Sequence, residues 1–182
     1  MATPGIETLY DKDGSMQPLS GKTVAVLGYG SQGHAHAQNL RDSGVKVIVA
    51  NRKDSPNGKL AIEHGFDPMS VEDAIKQCAV FIMTLPDEVQ PEVYEKSIKP
   101  HLRPGMVFGA THGFNIHFKT IVPPKDIDVI MVAPKGPGHT VRSEYERGGG
   151  VPCILSVYQY ASGKAKDLGM AWAIGVGGGR SG

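Results

Sequence analysis

Thr23-Val-Ala-Val-Leu27 runs directly into Gly28-Tyr-Gly30-Ser-Gln-Gly33, and the reading of this stretch decides the fold. A short run of β-branched and aliphatic residues without alternation reads as a strand buried on both faces. The next six residues are G-x-G-x-x-G at the mouth of a helix that reads from Gln32 to Ser43 and is closed by Gly44. The first glycine permits a tight turn, the second lets backbone approach a pyrophosphate, and the third lets helix and strand pack closely. Amides exposed at the helix N-terminus add partial positive charge for an anion. Such a turn can also be purely structural. Its setting between strand and helix favours dinucleotide binding.

Outward from this stretch the pattern repeats. Val45-Lys-Val-Ile-Val-Ala50 reads as a second strand one helix later, which makes a βαβ unit with a parallel pair. Gly58 to His64 reads as a helix. Ser70, with Asp73 three residues on, caps another that runs to about Gln77. Ala79 to Leu85, Met106 to Thr111, Asp128 to Ala133 and Val151 to Tyr158 read as strands, with helices at Val89–Ser97 and Gly163–Ala173. The alternation predicts an α/β, Rossmann-type doubly wound and mostly parallel sheet with helices on both faces. Residues 1–20 read as an irregular arm, and residues 1–182 as one dinucleotide-binding domain without internal repeat or linker.

Composition narrows the classes. Nineteen Lys and Arg against eighteen Asp and Glu give a net charge of +1, which offers nothing to nucleic acid or to a membrane surface. No apolar run reaches the roughly 20 residues of a membrane span. The first residues lack the apolar core of a signal peptide, so the chain reads as cytoplasmic. Two cysteines far apart, Cys78 and Cys153, read as buried thiols rather than a disulfide framework or metal knuckle. His34 and His36 sit two apart on one helix and so do not share a face, which argues against a metal site. No metal ligands are assigned.

In sheets of this kind ligands lie beyond the carboxyl ends of the strands. At the second strand's tip an Asp or Glu would bind the ribose hydroxyls of NAD. This chain has Asn51-Arg52-Lys53-Asp54-Ser55-Pro56-Asn57 instead, and Arg52 can pair with a 2′-phosphate. NADP(H) is favoured, although the two cations also suit a solvated loop. Pro86-Asp-Glu-Val-Gln90 follows the third strand, and Asp87 suits a helix N-cap there. His112 stands at the next tip beside Gly113, where an imidazole can handle protons, though a lone histidine is often structural. Lys135, among glycine and proline breaks, can steady an anionic substrate or an oxyanion.

Four segments together resemble ketol-acid reductoisomerase. They are Gly28-Tyr-Gly-Ser-Gln-Gly-His-Ala-His36, Leu85-Pro-Asp-Glu-Val-Gln90, His112-Gly-Phe-Asn-Ile-His-Phe118 and Met131-Val-Ala-Pro-Lys-Gly-Pro-Gly-His139. The resemblance implies conversion of 2-acetolactate or 2-aceto-2-hydroxybutyrate to a 2,3-dihydroxy acid in valine, leucine and isoleucine biosynthesis. There a magnesium-assisted alkyl migration precedes hydride transfer from NADPH. It further implies that Gly28, Tyr29, Gly30, Ser31, Gln32 and Gly33 cradle the pyrophosphate and that Arg52 and Ser55 meet the 2′-phosphate. Asn57 stands where many members carry a second serine. Asp87, Glu88, Val89, Gln90 and Gly138 would line the cofactor site, and His112 and Lys135 would face the reaction centre.

Family members continue into an all-helical, knotted domain that carries the acidic magnesium ligands. Residue 182 falls where that domain would begin. From sequence, these residues are therefore expected to bind cofactor without isomerising substrate alone. They would dock a helical domain, and would otherwise self-associate weakly through an apolar patch at Met170, Trp172 and Ile174. Two other readings are a small stand-alone NADPH-dependent ketoacid reductase and a non-catalytic nucleotide-binding module.

Overall fold

The computed structural model describes Gly5 and residues 7–182; the rest of the expected arm lies outside the described residues. Its strands are β1 Thr23–Leu27, β2 Lys46–Ala50, β3 Val80–Met83, β4 Val107–Ala110, β5 Asp128–Pro134 and β6 Cys153–Gln159. They form one sheet in the order β2-β1-β3-β4-β5-β6. β1 to β5 are parallel, and β6 closes the edge antiparallel to β5. The expected doubly wound, mostly parallel architecture is what the chain adopts.

The helices are α1 Ser31–Asp42, α2 Pro56–Glu63, α3 Val71–Gln77, α4 Gln90–Val93, α5 Phe114–His117, α6 Gly138–Glu146 and α7 Ala165–Gly175. α4 passes without a break into a wider π-helical turn at Tyr94–Ile98, just ahead of Pro100. One core lies between the sheet and α1, α2 and α7, built on Val24, Val26, Ile82, Ile130, Leu40, Ala61 and Trp172. The other lies between the opposite face and α3, α4 and α5, built on Leu27, Phe81, Phe108, Ile75, Tyr94 and Ile116. Both faces of the central strands are thus dry, as their unalternating sequences require. Asp128 is buried at the start of β5, where it accepts from the amides of Ala161 and Ser162 and pins the entry to α7.

Besides the short α5, which lies in a loop of the sequence reading, two features depart from it. α6 was hidden because its residues, Gly-His-Thr-Val-Arg-Ser-Glu-Tyr-Glu, carry no apolar stripe, and Val141 is the one aliphatic that it buries. Polar knots hold it to its neighbours instead. Buried Asn39 on α1 donates to the carbonyls of Val141 and Val176 and accepts from Arg142, and Ser43 bonds Tyr145 and the Gly175 carbonyl. The second departure is the apolar patch expected at Met170, Trp172 and Ile174. Trp172 is 1% exposed, Met170 is buried and Ile174 half-buried. The N-terminal arm covers α7: Met16 packs into the core, and a Cβ at Gly14 would lie 2.4 Å from Met170 Cγ. Self-association through that patch therefore has no exposed surface behind it. Cys78 is buried and Cys153 half-buried, both as free thiols that burial pushes up to about 12.

His36 is fully buried between α1 and α7, its Nδ1 accepting from Trp172 Nε1 at 2.9 Å. Burial, with a smaller contribution from nearby His34, pushes the imidazole down from 6.5 to about 3. The unfolded chain therefore binds a proton in that window that the folded chain excludes. The stability from the neutral ring is complete above about pH 6.5 and is lost as pH falls toward 3, by about 1.4 kcal/mol per pH unit. Urea midpoints taken from neutral pH down to about pH 5 should show this slope, and His36→Leu should flatten it. An unchanged slope in the variant would assign the effect to other groups.

Candidate dinucleotide site

A crevice of about 380 Å³ opens where the strand order reverses, between the carboxyl ends of β1 and β3. That switch point is where open α/β sheets bind ligands. Four loops line it: Gly28–Gln32 after β1, Asn51 and Asn57 after β2, Thr84–Asp87 with Gln90 after β3, and Thr111–His112 after β4.

The β1 loop is shaped by how closely backbone meets backbone. Gly28 turns at φ +100°, its amide donating to the Ala50 carbonyl, while Thr84 Oγ1 donates to the carbonyls of Leu27 and Gly28. A Cβ at Gly33 would stand 2.3 Å from the Gly28 carbonyl oxygen, so α1 can start here only with glycine at that position. No side chain caps the first turn of α1, which leaves its amides to a ligand or water. Gln32 Nε2 donates to the Gly136 carbonyl, while its buried Oε1 has no partner among the described residues. Tyr29 borders the crevice, but its ring is turned into the core, where its hydroxyl bonds His64 Nδ1 at 2.9 Å. Burial raises that hydroxyl to about 12, so Tyr29 fixes the loop's seat and carries no charge.

Not all the residues expected at the site line the crevice. Gly33 and Gly138 lie beneath it as packing positions; a Cβ at Gly138 would fall 1.5 Å from the Ser31 carbonyl oxygen, where α6 meets the β1 loop. Ser55 caps α2: its Oγ accepts from the Gly58 amide and from Asn51 Nδ2 and donates to the Arg52 carbonyl. Lys53 pairs with Asp67 at 2.5 Å. Arg52 is exposed at the β2 tip and has no ion-pair partner among the described residues. Glu88 and Val89 are not among the residues that line the crevice. Lys135 stands on the exposed turn after β5, outside the lining, with its amide bound to the Pro152 carbonyl.

Asp87 does not cap α4, whose N-cap is Val89 with no side-chain bond. Its carboxylate instead reaches across to His112 Nδ1 at 2.7 Å. Thr84, Thr111 and Asn51 line the crevice without having been singled out from sequence; their only signal was position at a strand end. The arrangement offers amides that no side chain caps, an exposed guanidinium at Arg52 next to the lining residue Asn51, and an imidazole in the lining at His112. No group of three or more His, Cys, Asp or Glu that could hold a metal ion occurs among the described residues. No helix among them is long and apolar enough to cross a membrane.

The model of the family described as acetohydroxy acid isomeroreductase, NADPH-binding domain, matches residues 18–182. Among solved structures, the chain is similar to an NADH-preferring ketol-acid reductoisomerase from an uncultured archean, with 42% identity and a TM-score of 0.95. That match covers 97% of this chain and 55% of the other, so the chain spans little more than half the length of that relative. A semialdehyde dehydrogenase NAD-binding protein from Cupriavidus necator, solved with calcium and NAD, matches at 24% identity and TM-score 0.70, covering 86% of this chain and 59% of the other. Pyrroline carboxylate reductase from Plasmodium falciparum, solved with NADP, matches at 15% identity and TM-score 0.66, covering 87% and 56%. The last two share the fold alone. Taken with the crevice at the β1/β3 switch, the match over residues 18–182 is decisive: the chain belongs to the acetohydroxy acid isomeroreductase family, in its NADPH-binding domain.

Proposed function

We propose that residues 1–182 act as the cofactor-holding domain of a ketol-acid reductoisomerase that turns a small 2-hydroxy-3-keto acid into a 2,3-dihydroxy acid. The observation that carries this reading is the crevice itself, lined by the uncapped start of α1 and by His112, with exposed Arg52 next in the chain to the lining residue Asn51. The amides of the Gly28–Gln32 loop hold the pyrophosphate, and Arg52 meets the adenosine 2′-phosphate. Ser55 shapes that loop through the α2 cap, and Asn57 borders it. Asp87 and Gln90 flank the cofactor, which when bound supplies the hydride. His112 faces the reacting end, and Lys135 serves substrate from the neighbouring turn.

The choice of NADP(H) over NAD(H) rests on charge at the β2 tip. Asn51 replaces the acid that would bind ribose hydroxyls, and Arg52 is uncommitted. Substrate turnover and magnesium binding are assigned to the helical domain that the family resemblance implies. Its docking face is the uncovered side of β6, where Ile154 and Tyr158, with Tyr160 beyond, are 50%, 58% and 58% exposed.

Titration calorimetry tests the cofactor reading. NADPH should bind more tightly than NADH, and no binding of either at millimolar concentration would sink the proposal. Arg52→Ala should weaken NADPH about 10- to 100-fold, the loss of one charge-assisted contact, while leaving NADH nearly unchanged. Gly138→Ala should behave differently. Its methyl displaces α6 from the Ser31 carbonyl, costing about 1–3 kcal/mol of stability and weakening both dinucleotides alike. Selective loss of NADPH in that variant would contradict the packing role.

A further inference from the structure

The loops after β3 and β4 are joined by an unbroken line of side-chain hydrogen bonds that runs from Thr120 to His112. Thr120 Oγ1 donates to Asn115 Oδ1. Asn115 Nδ2 donates to Gln90 Oε1 at 3.0 Å and to the Asp87 carbonyl at 2.9 Å. Gln90 Nε2 donates to the Leu85 carbonyl at 2.7 Å and to Asp87 Oδ1 at 3.2 Å. The other carboxylate oxygen, Asp87 Oδ2, meets His112 Nδ1 at 2.7 Å. Asn115 and Gln90 are 3% and 5% exposed, so the bond between them is made out of water, while the Asp87–His112 bond at the end of the line is exposed.

Each amide group has one possible orientation. The carbonyls of Leu85 and Asp87 only accept, so both NH₂ ends must face them, and each amide oxygen is left to a donor. Both donors of each NH₂ and the oxygen of each amide are engaged, which makes a fully satisfied buried network and therefore a rigid one. The carboxylate at its end is fixed on Oδ1 by Gln90, and its main chain is fixed by Asn115. An ionised carboxylate can only accept, so the proton in the bond to His112 sits on Nδ1 and the lone pair of the neutral ring sits on Nε2.

We propose that Asp87, braced by Gln90 and Asn115, is a positioning residue that locks His112 in the Nδ1–H tautomer and presents Nε2 as an acceptor to a hydroxyl-bearing ligand in the crevice. What Nε2 faces rests on the function proposed above. The tautomer does not. The brace also explains why two buried amides are spent between loops that an apolar contact could have joined: only they fix a charge at a chosen place.

Long-range ¹⁵N–¹H correlation spectra of the ¹⁵N-labelled protein near pH 8 read the tautomer directly, with His112→Gln identifying its signals among the seven histidines. Wild-type His112 should show a protonated, pyrrole-like Nδ1 and an unprotonated, pyridine-like Nε2. In Asp87→Asn the new NH₂ donates to Nδ1, and the two ring nitrogens should exchange positions in the spectrum. Asn115→Ala lies outside the crevice wall; it should leave NADPH affinity unchanged but replace the pure pattern by a mixture of tautomers. An Nε2–H ring in the wild type, or an unchanged pattern in either folded variant, overturns the proposal. The wild-type spectrum alone decides the tautomer should a variant fail to fold. Loss of NADPH binding with the tautomer intact would count against the function, not against the brace.

Discussion

Everything at the mouth of this sheet depends on how closely the first turn of α1 approaches the end of β1. With the Gly28 carbonyl filling the place of a Gly33 side chain, strand and helix share one tight corner. The corner sets the uncapped amides of α1 at the reversal of strand order, where the segments after β1 and β3 lead to helices on opposite faces of the sheet and leave a cleft. Thr84 ties the corner to β3, and Gly138 lets α6 rest directly on Ser31. The loop that would hold phosphate is therefore held from beneath by β3 and from the side by α6. An anion site made of backbone amides needs this rigidity, because its donors are only as well aimed as the chain that carries them.

The same economy governs the interior. Several polar groups that leave water here are matched by partners from other elements: Asn39 from α1 serves α6 and α7 together, and Asp128 serves two amides of the loop before α7. Such bonds add modest net stability, but leaving one member alone is costly, so they penalise any other arrangement of the helices. α6 illustrates the difference between the two kinds of adhesion. Lacking an apolar stripe, it is positioned by hydrogen bonds and by the absence of a side chain at Gly138.

This explains what was legible in the sequence. β1 to β6 and the amphipathic or capped helices show themselves as apolar runs and local caps, and Ser70 caps α3 as its spacing to Asp73 requires. The phosphate-binding corner is local too, since its three glycines, Gly28, Gly30 and Gly33, fall within six residues. α6 was illegible because nothing in its own residues is periodic. Trp172 was misjudged because its cover comes from the N-terminal arm, far away in the chain, and local hydrophobicity cannot say which side of a helix a distant segment will shield. The resemblance gave Arg52 and Ser55 alike to the 2′-phosphate, although Arg52 alone offers a bidentate charge. Only the structure separates a hydroxyl already spent on a helix cap from a guanidinium that is not.

His112 shows the limit most clearly. A histidine at a strand tip carries no sign of its role in its immediate neighbours, and Asp87 is 25 residues away. What joins them is the sheet: β3 and β4 are adjacent and parallel, so their carboxyl-end loops emerge side by side. Parallel pairing therefore brings residues of similar register position together however long the crossover between them. The proposed function requires a proton-handling group beside a hydride donor, held without reliance on a flexible loop. Bracing one strand-end loop against the next achieves this with buried amides, at a point where the sheet itself fixes the spacing.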